Sequence, residues 1–242
     1  TLIASKAARC RLAAPDRLLV DFGLRRAHGA EAGLVAARSS YLAGFAGSAT
    51  VLAGQHYGIP VFGTMAHSYI EVHELEVQAF RAYADSLTGL RGPLMLLIDT
   101  YDTEAAARKI VALAPALERR GARIASVRLD SGDLAAHARL VRTIFDQGGL
   151  QEISIFASGN LDEWRLRQLL QASAPIDGFG VGTALSTSAA APALDAVYKL
   201  QSYSGKPRRK RSEGKATWPG AKQVWRCSGP DGRLERDLVA LA

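Results

Sequence analysis

The chain has 242 residues, 48% of them hydrophobic, with 30 Lys and Arg against 23 Asp and Glu, a formal net charge of +7 and a pI near 9.6. This is enough for a full α/β core in one domain, and the longest apolar runs, such as residues 92–98, fall far short of the ~20 residues that cross a bilayer. Cys10 and Cys227 are the only cysteines and neither has metal-ligand spacing, so a disulfide framework is excluded too.

No secretory signal pattern opens the sequence, and a cytoplasmic location with no membrane partner is expected. The positive charge favours anionic partners; on its own it does not separate a polyphosphate substrate from nucleic acid.

Thr1 stands first, not Met, and residues 2–13 read as a helix stopped before Pro15, so the chain is expected to be a segment of a longer protein. Leu18-Leu19-Val20-Asp21-Phe22 is a short buried strand, with the polar exit Gly23-Leu24-Arg25-Arg26-Ala27-His28-Gly29. Helices rich in Ala and Gly are predicted over residues 30–42 and 48–57, followed by a short strand at Pro60-Val61-Phe62-Gly63. Ala66 is predicted to begin one long helix with an apolar face through Ile70, Leu75, Val77 and Phe80.

Four junctions of one kind follow. Apolar strands ending at Ile98, Leu129, Ala157 and Val181 run into Asp99-Thr100-Tyr101-Asp102-Thr103, Asp130-Ser131-Gly132-Asp133, Ser158-Gly159-Asn160-Leu161-Asp162 and Gly182-Thr183. They recur about every 23 to 30 residues with helical spacing between them, the period of parallel strand-helix units. Ligands of such folds sit at the carboxyl ends of the strands, where these polar residues fall.

From residue 198 the style changes to short β-like runs and turns, including Pro230-Asp231-Gly232-Arg233, and a small antiparallel β region is expected. The expected domains are an α/β core over 1–197 and, over 198–242, part of a second domain whose N-terminal partner segment lies outside this chain. The basic run Lys206-Pro207-Arg208-Arg209-Lys210-Arg211 fits a solvated hairpin edge better than a nucleic-acid segment.

Ser158, Gly159 and Asn160 precede a helix, where free amides favour an anion, although helix capping alone accounts for one such turn. With Gly182 and Thr183 as a second glycine-rich exit, a phosphate cradle is expected. Arg128 and Asp130 share a strand face and can present a cation and a carboxylate to one pocket. With Asp133 they also fit a plain salt-bridged strand end; facing a polyphosphate, carboxylates would serve sugar hydroxyls or Mg²⁺. His67 falls at the start of a helix, which favours a neutral, nucleophilic imidazole beside phosphate. Metal binding by His67 and His73 is disfavoured, because residues six apart do not share a helix face.

The ordered motifs DFGLRRAHG (21–29), GTMAHSYI (63–70), LIDTYDT (97–103), VRLDSGDL (127–134), ASGNLDE (157–163) and DGFGVGT (177–183) resemble the nicotinate phosphoribosyltransferase family. So do VYKL (197–200) and SEGKATWPGAKQVWR (212–226). The resemblance spans nearly the whole chain and corresponds to the central and following portion of the family.

The resemblance implies an irregular parallel α/β barrel of the type II phosphoribosyltransferase kind, working as a homodimer. It implies transfer of phosphoribosyl from 5-phosphoribosyl 1-diphosphate to nicotinate, giving nicotinate mononucleotide and diphosphate, with Mg²⁺ and coupled ATP hydrolysis, at the start of nicotinate salvage to NAD. Carried over by motif, His67 is the histidine that ATP phosphorylates; Phe22 and Arg25 stack and orient the pyridine ring. Arg128 and Asp130 hold base and ribose, and Ser158, Gly159 and Asn160, with Gly182 and Thr183, form the ribose-phosphate loops; the metal ligands stay unassigned. Amide-using relatives carry an aspartate where this chain has Ala49, which favours the acid over a nicotinamide phosphoribosyltransferase. An inactive fragment or a basic nucleic-acid-binding module is the alternative of another class.

Overall fold

The computed structural model describes residues 1–87, 94–193, 200–209 and 217–242. They form two compact units, Thr1–Ala193 and Leu194–Ala242. The boundary expected after Val197, the VYKL motif except Leu200, and Lys210, Arg211 and the SEGKA stretch lie outside the described residues.

In the first unit α1 (Leu2–Ala13) leads into β1 (Leu18–Asp21), a single 3-10 turn at Leu24–Arg26, and α2 (Ala30–Leu42). Then come β2 (Gly47–Ser48), α3 (Val51–Tyr57), α4 (His67–Glu71) and α5 (Glu76–Ser86). Four strand-helix units complete it: β3 (Leu94–Leu97) with α6 (Thr103–Arg119), β4 (Ile124–Leu129) with α7 (Leu134–Gln147), β5 (Ser154–Ala157) with α8 (Glu163–Gln171), and β6 (Gly178–Val181) with α9 (Thr183–Ser186).

The strands make one parallel sheet in the order β2-β1-β6-β5-β4-β3. Its two edges are linked through residues 60–64. Ser48 pairs with Val61 beside β2, and the Thr64 hydroxyl donates to the Met95 carbonyl on β3 at 2.8 Å. The sheet thus curves into an irregular half-barrel, the α/β architecture expected from the strand-helix period.

Strand alternation sorts the side chains. Leu19, Leu96, Val127, Leu129, Ile155, Ala157, Phe179 and Val181 point outward into the main apolar cluster shared with the helices. Val20, Arg128, Phe156, Gly178 and Gly180 occupy the other face, in register across β1, β4, β5 and β6.

Three sequence expectations need correction. The helix predicted over 48–57 begins only at Val51, because Ser48 is strand, paired to Asp21 on one side and Val61 on the other. The strand predicted at 60–63 reduces to that single bridge. The long helix predicted from Ala66 is broken into α4 and α5. His73 Nδ1 bonds the Tyr69 carbonyl at 2.8 Å, the acceptor that His73 N–H would use if the helix continued. The backbone N–H of Leu75 then donates to Gln78 Oε1 at 3.2 Å and α5 starts afresh, leaving Leu75 exposed rather than on an apolar face.

The second unit contains two antiparallel hairpins, β7 (Ser202–Tyr203) with β8 (Lys206–Pro207) and β9 (Lys222–Ser228) with β10 (Leu234–Leu241). Ser204 and Gly205 both have positive φ, 50° and 70°, as a two-residue turn with right-handed strand twist requires. Arg209, in the basic run, lies over the Trp218 ring at 4.2 Å. Both cysteines are free, and among the described residues no helix is long and apolar enough to cross a membrane.

Candidate active site

The carboxyl ends of the parallel strands gather the polar side chains. At the end of β1 the buried Asp21 accepts from Ser48 Oγ at 2.7 Å and from the Gly23 backbone N–H at 2.8 Å, tying β1 to β2. Burial pushes its carboxyl above the ordinary range, against the pull of those two hydrogen bonds. This tie fixes the exit on which Phe22 and Arg25 stand.

Phe22 turns inward over β6. A Cβ on Gly180 would lie 2.5 Å from the Phe22 ring, and one on Gly178 would lie 2.8 Å from the Phe156 ring. The two rings tilt against each other at 44° with centroids 5.7 Å apart. The Arg128 guanidinium carbon stands 5.9 Å from the Phe22 centroid, within cation–π range.

Arg128 Nε is buried without a hydrogen-bond partner among the described residues. Burial lowers the guanidinium pKa, the charges of Asp130 and Asp99 oppose that shift, and the nearby charge of Arg25 adds to it. Arg25 itself is exposed on the 3-10 turn.

A second group surrounds His67, the first residue of α4. Its Nδ1 lies 3.1 Å from Thr100 Oγ1 and its Nε2 lies 3.7 Å from Asp130 Oδ2. Asp99 Oδ2 accepts from the Asp130 backbone N–H at 2.9 Å and from Ser131 Oγ, while Asp99 Oδ1 is buried with no hydrogen-bond partner among the described residues. Ser158 Oγ donates to Asp130 Oδ1. Gly159, at φ +92°, passes so close that a Cβ would meet the Asp130 carbonyl oxygen at 2.0 Å, and only glycine fits there.

Arg128, Asp130, Phe22, Ser158, Gly159 and His67 are therefore brought together, with Arg25 near by charge. Gly182 caps α9 and passes the Phe22 carbonyl, a Cβ there lying 3.2 Å from that oxygen. Thr183 and Asn160 are exposed, Asn160 in the left-handed region at φ 49°. Asp133 takes no part: its Oδ1 accepts from the backbone N–H groups of Ala135 and Ala136 and caps α7. Asp162, rather than Ser158 or Asn160, caps α8.

Sequence comparison decides the family. The model of the nicotinate phosphoribosyltransferase family matches residues 18–215. The chain belongs to the nicotinate phosphoribosyltransferase family. It is 50% identical over 226 residues to a nicotinate phosphoribosyltransferase of Mycobacterium tuberculosis, covering 93% of this chain and 48% of that protein. Among solved structures, human nicotinic acid phosphoribosyltransferase superposes with a TM-score of 0.74 at 31% identity, covering 99% of this chain and 55% of that one. A Pyrococcus furiosus nicotinate-nucleotide pyrophosphorylase superposes with a TM-score of 0.76 at 30% identity, covering 99% and 57%. The chain spans about half the length of the curated relatives it matches.

No role was expected for Asp99, Thr100, Phe156 or Gly178. Register was the available signal for one of them. Leu97 pairs with Arg128, so Asp99 stands at the same offset on β3 as Asp130 on β4. Gly180 opens the glycine-rich exit Gly180-Val181-Gly182-Thr183 expected to cradle phosphate, yet its bare Cα is what admits the Phe22 ring.

Proposed function

We propose that this chain carries the catalytic core of a nicotinate phosphoribosyltransferase, joining nicotinate to 5-phosphoribosyl 1-diphosphate to give nicotinate mononucleotide and diphosphate. The observation that carries the reading is Arg128, a half-buried guanidinium whose buried Nε has no hydrogen-bond partner among the described residues, beside the Phe22 ring. An aromatic face suits the pyridine, and a guanidinium suits its carboxylate. The pyridine nitrogen attacks ribose C1 as the C1–O bond breaks, and diphosphate leaves with the bonding pair. In this reading Asp130 holds ribose hydroxyls and faces the positive charge that develops on the sugar.

Mg²⁺ enters as part of the diphosphate substrate. Among the described residues no group of three or more metal-ligating side chains occurs, while Asp99 and Asp130 offer two carboxylates toward a magnesium-bound diphosphate. ATP is the co-substrate. In the tautomer whose Nδ1–H donates to Thr100 Oγ1, His67 presents Nε2 as nucleophile to the γ-phosphorus. The P–O bond to ADP breaks, and water later takes the phosphoryl group from the imidazole.

In this reading the protein starts nicotinate salvage to NAD in the cytoplasm, as an ATP-coupled homodimer. Ala49, following the β2 residue Ser48, supports the acid over nicotinamide, since it brings no carboxylate to repel nicotinate. The test is formation of nicotinate mononucleotide by the full-length protein with and without ATP, alongside binding to DNA duplex at several salt concentrations. Product formation stimulated by ATP is expected. Absence of product, with steeply salt-dependent duplex binding, would replace this reading with that of a basic nucleic-acid-binding module.

A further inference from the structure

Behind the site, Glu104 and His137 join its two halves from outside. Glu104 lies in the first turn of α6 and His137 in that of α7, with His137 Nδ1 2.7 Å from Glu104 Oε1. Their side chains are 21% and 31% exposed, so the contact is partly shielded from water. Each helix follows a junction that supplies one partner of His67: Thr100 precedes α6 and Asp130 precedes α7.

The inner face of these junctions is already cross-linked, by the donations from Asp130 N and Ser131 Oγ to Asp99. The Glu104–His137 contact is a second, outer link between the same two segments. The imidazole also rests on the loop itself. Gly132, at φ +74°, lies so near that a Cβ there would stand 2.7 Å from His137 Nε2 and 3.0 Å from its Cδ2. The ring thus fills the space any side chain at 132 would need.

We propose that Glu104 and His137 are a positioning pair that fixes the spacing between Thr100 and Asp130, and hence the seat of the His67 imidazole. The consequence for phosphoryl transfer rests on the functional reading above; the geometric claim does not. His67 has one partner on each junction, so a relative shift of about 1 Å between them would lose one contact and misaim Nε2.

The experiment compares the full-length protein with Glu104→Ala, His137→Leu, their double variant and Glu104→Gln. The first readout is the NMR resonances of the His67 ring without any substrate, assigned by their loss in His67→Gln. Each single variant should shift them, the double variant should shift them no further, and Glu104→Gln, which keeps an acceptor, should restore them toward the parent. The second readout is phosphohistidine formed from MgATP, expected to fall about tenfold in Glu104→Ala while KM for nicotinate holds. Unchanged His67 resonances in folded Glu104→Ala and His137→Leu, or additive shifts in the double variant, would overturn the proposal. A parent protein that forms no phosphohistidine would overturn the functional reading alone, since the ring shifts would still report on the pair.

Discussion

Phe22 and Arg128 stand at the ends of strands that do not touch, β1 and β4, yet the guanidinium lies 5.9 Å from the ring centre. β6 and β5 separate them, and β6 presents only Gly178 and Gly180 to that face. The missing side chains let Phe22 and Phe156 lie over the sheet and leave Arg128 to close one side. A slot walled by an aromatic face and a half-buried cation suits a flat anionic ring.

Arg128→Ala should therefore lower kcat/KM for nicotinate about 100-fold, the equivalent of about 3 kcal/mol for a lost hydrogen bond to a charged group. Arg128→Lys should recover little, because an ammonium lacks the planar fork. Ala49→Asp should reduce use of the acid. Steady-state kinetics on nicotinate and nicotinamide check all three, and equal efficiency of parent and Arg128→Ala would remove Arg128 from base recognition.

Two glycines serve different ends. Gly180→Ala puts a methyl into the Phe22 ring, where the ring can swing aside, so base affinity should suffer more than stability. Gly159→Ala meets backbone, the Asp130 carbonyl, at a positive φ, so a cost of about 3 kcal/mol or more is expected, with weaker phosphoribosyl diphosphate binding. Urea denaturation and calorimetric titration separate the effects. A stable Gly159→Ala protein with parental affinity would refute the close-approach argument.

His67→Ala should lose ATP hydrolysis and ATP stimulation while retaining some ATP-independent transfer, because in the proposed mechanism the imidazole accepts phosphate and forms no bond to the sugar. Thr100→Val, which removes the Nδ1 partner, should weaken ATP coupling in the same direction. Equal stimulation by ATP in parent and His67→Ala would end the assignment.

Much of this was legible in the sequence because it rests on local rules. The helices at Leu2–Ala13 and Ala30–Leu42 and the strands ending at Leu129, Ala157 and Val181 follow from apolar spacing and turn residues, and the strands read to Phe22 and Ile98 end one residue earlier, at Asp21 and Leu97. What could not be read depends on partners distant in sequence. β2 is two residues long and exists only because Asp21 and Val61 flank Ser48. The break between α4 and α5 hangs on one imidazole taking one carbonyl. Asp99 looked like any strand-exit carboxylate until its register with Asp130 placed it against that loop.

Two cations of α1, Lys6 and Arg9, anchor the helix to Glu163 at the start of α8. Lys6, 2% exposed, lies 2.5 Å from Glu163 Oε2, and Arg9 donates to the other oxygen at 3.0 Å. Burial alone would raise the Glu163 carboxyl, but the Lys6 ammonium, its own backbone N–H and the hydrogen bond from Arg9 hold it below its ordinary 4.5. A carboxyl depressed by folding adds stability that is fully present above the unfolded value and is lost as pH falls through the folded one. Lys6→Met removes the main counter-charge and leaves burial to dominate, so it should cost about 3 kcal/mol at neutral pH. As the pH drops, the parent loses its pair while the variant's carboxyl takes up a proton readily, so the gap between them should narrow. Urea denaturation at neutral pH and at about pH 3 measures it. A gap of the same size at both would mean that Lys6 acts by packing its aliphatic stem and not by its charge on Glu163.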